Sequence, residues 1–144
     1  MKKVFFIFTL CCNLFSLSNQ YSELKEIKPF LDHGWFFFEQ FLSNVIHQKQ
    51  EDKIIPIRMD SYNASFFLDK KADLIYIDAS HDEKNVFLDI YLYYPKLKEG
   101  GIMCGDDWAW GSVRNPVRKF AKANNLEIIF DNFFWYYKPK KGES

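Results

Sequence analysis

The sequence predicts an α/β protein whose short parallel sheet ends in an antiparallel C-terminal hairpin. Three observations carry that prediction. Leu74 to Ile77 is an apolar run that stops at Asp78, and Ile102 to Cys104 is a second that stops at Asp106 and Asp107. Runs of this kind suit parallel strands buried on both faces. A helical pattern lies between them, as a parallel crossover requires. Further on, Leu126 to Phe130 and Phe133 to Tyr137 are two strand-like stretches separated by Asp131-Asn132, which reads as a hairpin.

Taken in order, the chain opens with Met1-Lys2-Lys3 and an apolar stretch from Val4 to Leu17, broken only by Thr9, Asn13 and Ser16. Ser16-Leu17-Ser18 places small residues where a leader would be cut, so residues 1–20 read as a signal-like segment and 21–144 as one domain. The stretch is too short for a comfortable membrane span. Its plainer reading is an apolar segment that packs on the domain. Ser22 to Phe30 suggests a short charged helix limited by Pro29. Phe38, Phe41, Leu42, Val45 and Ile46 fall on one helix face. Ile54 to Met59 is β-rich, and Pro56 makes it an edge strand. Asp60 to Asn63 is a turn, and Ala64 to Leu68 a short helix.

Ser80-His81-Asp82-Glu83 matches a capping box, with Val86, Phe87, Ile90, Tyr94 and Leu97 on one side of the helix behind it. Pro95 and Gly100-Gly101 end that helix. Asn115-Pro116 reads as the N-cap and first position of the next one, whose buried face is Val117, Phe120 and Ala121.

With 144 residues there is room for one core. Apolar and aromatic contents of 48% and 19% argue for a folded chain, not a disordered one. Nineteen basic residues balance nineteen acidic ones, so no nucleic-acid partner is expected from net charge. Lys138 to Lys141 reads as a solvated end. Cys11, Cys12 and Cys104 have no metal or redox spacing.

Adjacent parallel strands bring their C-terminal ends side by side, at the crevice where open α/β sheets bind ligands. Asp78, Asp106 and Asp107 would converge there, and gathered carboxylates are ligands for Mg2+ or a similar divalent cation. His81, three residues after Asp78, is the candidate general base. Trp108 and Trp110 are candidate pocket walls.

These residues carry a resemblance. Asp78-Ala79-Ser80-His81 and Gly105-Asp106-Asp107, together with Trp110-Gly111 and the terminal strand pair, are similar to the C-terminal half of class I S-adenosylmethionine-dependent methyltransferases. The likeness is to small O-methyltransferases with a D-x-S-H turn after the fourth strand and a G-D-D turn after the fifth, and it covers about Phe38 to Pro139. It implies a Rossmann-like sheet, S-adenosylmethionine as cofactor, a divalent cation at the three aspartates and a small-molecule hydroxyl as acceptor. Asp60 and Ser61 match the family's cofactor-side turn after the third strand.

The chain also departs from the family. Before Gly100 the only glycine is Gly34, so the glycine-rich turn after the first strand is missing. The expectation is a truncated sheet that has lost its first two strands near Trp35 to Phe38. Two alternatives to an active enzyme follow: a catalytically dead member, or a secreted interaction protein that reuses the fold. The signal-like start suggests export, whereas the methyl donor belongs to the cytoplasm.

Overall fold

The computed structural model describes residues 4–8, 38 and 40–138. They fall into two compact units. One joins the N-terminal strand to the chain from Ser61 onward, and the other lies within residues 10–60.

The first unit is built on a five-stranded sheet of order β1-β2-β3-β5-β4. The strands are β1 (Val4–Phe8), β2 (Ala72–Asp78), β3 (Leu97–Gly105), β4 (Ile128–Phe130) and β5 (Trp135–Tyr137). β1, β2 and β3 run parallel, and β5 joins β3 and β4 antiparallel. The expected hairpin is therefore present. Asp131 sets its turn, because one carboxylate oxygen accepts from the N–H groups of Phe133 at 2.8 Å and Phe134 at 2.7 Å.

The apolar start of the chain supplies β1, which pairs with β2 from Val4 opposite Leu74 to Phe8 opposite Asp78. The sheet thus holds three parallel strands, as many as expected, but the edge one comes from within the signal-like segment and not from Ile54 to Met59. The leader cleavage point, the helix at Ser22 to Phe30, Gly34 and most of the junction at Trp35 to Phe38 lie outside the described residues. The strand expected at Ile54 to Met59 is not formed. Pro56 has no N–H to give a ladder, and the side of β2 opposite β3 is taken by β1.

The expected helix after Phe38 is α1, residues 40–47, in the second unit. In the first unit the helices are α2 (Ser61–Phe67), α3 (Glu83–Tyr93) and α4 (Gly111–Ala123). Two helix starts differ from expectation. Asp82, not Ser80, caps α3, accepting from the N–H groups of Lys84 and Asn85 at 3.1 and 3.2 Å. Ser80 instead accepts from the N–H of Asp82 and fixes the turn before it. α4 starts a turn earlier than Asn115, because Trp110 O already accepts from the N–H groups of Val113 and Arg114. Pro116 is inside the helix and fully buried.

The strand pleat alternates faces. Ile75, Ile77, Met103, Trp135 and Tyr137 point to one side and form the core with Val86 and Ile90 of α3 and Val113, Val117 and Phe120 of α4. The Tyr137 hydroxyl reaches across to the Val117 carbonyl at 2.9 Å.

One charge lies inside this packing. Asp89 is only 3% exposed, on the buried face of α3. Its carboxyl takes a hydrogen bond from the Ser61 hydroxyl, while the Tyr93 hydroxyl donates to the Ser61 carbonyl at 2.7 Å. Burial pushes the Asp89 carboxyl up to about 6, and the Ser61 bond offsets part of that. The folded state therefore keeps its proton after the unfolded chain has lost it. The stability Asp89 contributes is full below about pH 4 and is lost as pH rises to about 6, a change of order 3 kcal/mol. Asp89→Asn keeps an acceptor for Ser61 and removes the charge. Urea unfolding between pH 4 and 7 should show the variant more stable than the parent above pH 6, with the difference vanishing near pH 4. Parallel pH curves would show that Asp89 is not buried as a charge.

Candidate functional site

Asp78 ends β2, and Asp106 and Asp107 follow the last residue of β3. The pairing of Ile77 with Gly105 puts these two strand ends level. Here Asp78, His81 and Asp107 each offer one ligand atom within 4.8 Å of the others. Asp107 Oδ2 is 2.6 Å from His81 Nε2. That contact does not have hydrogen-bond geometry, so Nε2, enclosed from solvent, is left without a hydrogen-bond partner among the described residues.

The turn at Asp107 explains how its carboxylate gets there. Its φ is +54°, in the left-handed region, where Asp is tolerated better than most residues but still at a cost. The Asp107 carbonyl then accepts from the Trp110 N–H at 2.9 Å, closing the loop into α4.

Asp106 goes the other way. Its carboxylate takes a hydrogen bond from the Tyr76 hydroxyl, and it lies outside the cluster. The three expected ligands are therefore not gathered as one set; His81 stands where Asp106 was expected. Tyr76 lies two residues before Asp78, on the same strand face, so a period of two could have found it. Its ring stacks near Phe134 at 6.3 Å. Burial, then the charges of Asp106 and Asp78, push the Tyr76 hydroxyl up to about 12.

The carboxylates repel one another. Asp78 is raised above its ordinary range by burial and by Asp107, against which His81 acts. Asp106 is raised by burial, then by Asp78 and Asp107; the Tyr76 hydroxyl acts against this.

The two candidate wall residues separate. Trp108 is buried, stacked on Phe130 at 4.5 Å and with the Arg118 guanidinium over its ring at 5.3 Å, so it serves the core. Trp110 is 52% exposed, and its ring meets His81 edge-on at 4.6 Å. Asp60 belongs to the other compact unit. Ser61 opens α2 and is engaged by Asp89 and Tyr93. Neither is in the Asp78 cluster. The crevice lined by Asp78, Ala79, Ser80, His81, Asp106 and Trp135 holds about 10 Å³, far below the range of ordinary cofactor pockets.

A family profile described as a methyltransferase domain matches residues 10–108, a span that includes Asp78, His81 and Asp107. No curated protein matches. Among solved structures, a Clostridium thermocellum protein described as an rRNA-methylase is similar, with 14% identity and a TM-score of 0.56. The match covers 70% of this chain and 66% of that one. At this identity the likeness shows the fold alone.

The strain at Asp107 is open to measurement. Asp107→Gly and Asp107→Ala remove the same carboxylate, but only glycine is at ease at φ +54°. Urea denaturation should find the glycine variant more stable than the alanine variant by about 1 kcal/mol. Equal stabilities would mean that the turn is not strained.

Proposed function

The chain belongs to the methyltransferase-domain family, and on that premise we propose that it transfers the methyl group of S-adenosylmethionine to a hydroxyl of a small-molecule acceptor, assisted by a divalent cation held by Asp78, His81 and Asp107. The observation that carries the cation is the enclosed His81 Nε2 at 2.6 Å from Asp107. Two candidate ligand atoms this close, with no hydrogen bond between them, can both be satisfied by a cation beside them. Two carboxylates and one imidazole suit Mg2+ or Mn2+. When bound, such an ion lowers the pKa of a coordinated hydroxyl.

In this reading His81 is a ligand through Nε2, and the free-base role is not needed. The His81 and Asp107 side chains are about one-third exposed, at 37% and 31%, so water can take the acceptor proton. Trp110 gives the exposed side of the site an apolar wall for the acceptor.

Family membership implies S-adenosylmethionine as the donor. The described residues do not make its whole cradle. No glycine stands between Phe8, the end of β1, and Gly34, and the crevice is small. That supports a second reading, a catalytically silent member that keeps the cation and acceptor half.

Two titrations separate the readings. Water-proton relaxation should report Mn2+ binding by the parent and a loss of at least tenfold in affinity for Asp107→Asn. Calorimetry with S-adenosylmethionine should show a micromolar dissociation constant if the chain is a working transferase. Mn2+ binding without donor binding would select the silent member, and absence of both would end both readings.

A further inference from the structure

We propose that the outer face of α4 is a docking surface for single-stranded nucleic acid, beyond the small-molecule transfer proposed above and independent of it. α4 carries Arg114, Arg118, Lys119 and Lys122 and no acidic residue. Arg114, Arg118 and Lys122 stand at intervals of four, which aligns them along one side of the helix over about 12 Å. Arg118, Lys119 and Lys122 are exposed and Arg114 is half-buried. Among the described residues none of the four forms an ion pair.

Helix stability does not explain this row. Cations help at a helix C-terminus, which accounts for Lys122 alone. Like charges four residues apart repel, whereas an ordinary surface helix alternates their sign. The cost is relieved when a polyanion lies along the row.

The aromatic neighbours point to bases as well as phosphates. Arg118 sits over Trp108 at 5.3 Å, and Trp108 stacks on Phe130 at 4.5 Å. Lys119 sits over Phe87 at 5.0 Å. These contacts hold the cations in place on the surface, and Phe130 is 53% exposed beside them. A cationic track with an exposed ring is the arrangement that binds single strands through phosphate contacts and base stacking. The row begins one turn after Trp110, so a strand laid on it would lead toward His81. The chain's zero net charge hides this, because a total cannot show that one helix is wholly basic.

The test is the salt dependence of binding by a short labelled oligoadenylate, followed by fluorescence anisotropy. With four contacts and a slope of about −0.7 each, affinity should fall about 50-fold between 50 and 200 mM salt. R114Q/R118Q and K119Q/K122Q should each reduce that fall to about sevenfold. Circular dichroism checks that each pair is folded, and either pair alone suffices. Phe130→Ala should weaken oligoadenylate binding about fivefold or more and leave inorganic polyphosphate unaffected. The proposal is overturned by no binding, by an unchanged salt dependence in both pairs, by equal affinity for polyphosphate, or by binding to anionic vesicles in place of the oligonucleotide.

Discussion

Gly105 has no side chain because Trp135 lies where one would be. A Cβ at this position would come within 2.6 Å of the Ile77 carbonyl and 2.8 Å of the Trp135 ring. Trp135 is fully buried, and its Nε1–H donates to the Asp106 carbonyl at 3.1 Å. The Trp108 N–H, two residues on, donates to the Phe133 carbonyl. The hairpin is thus locked to the end of β3 from both sides. That lock fixes the course of the backbone through Asp106 and Asp107, and so decides which carboxylate faces which partner. One turns to Tyr76; the other, in the left-handed region, turns to His81.

The charges follow from that geometry. Burial and then Asp107 raise the cost of ionising Asp78, and burial and then Asp78 and Asp107 raise that of Asp106. The nearby relief is modest: one phenol and one imidazole. A cation at the Asp78–His81–Asp107 cluster would offset the repulsion and satisfy Nε2 together. The cluster is firmly mounted, with Asp78 at the end of a central strand and His81 in the turn that Ser80 and Asp82 brace before α3.

Much of this was legible in the residues. The runs at Leu74 to Ile77 and Ile102 to Cys104 announced two parallel strands and the aspartates at their ends, because burial on both faces leaves a plain apolar signature. The hairpin was legible from Asp131-Asn132. The direction of each aspartate was not. It depends on Trp135, some thirty residues away in the chain, and no local pattern reports a packing contact of that range. Val4–Phe8, within the leader-like start, pairs with β2; strands and export segments draw on the same apolar residues, so composition does not report that pairing. Ile54 to Met59 misled because β propensity is context-dependent. There Pro56 removes a donor, and residues 54–59 form no strand.

The central claim is that Asp107 and His81, not Asp106, meet Asp78 around a cation. Anomalous scattering from a crystal grown with Mn2+ tests it directly. The expected map has one peak bonded to Asp78, His81 Nε2 and Asp107, with Asp106 still on the Tyr76 hydroxyl. A peak bonded to Asp106 with His81 turned away, or no peak at the strand ends, would contradict it.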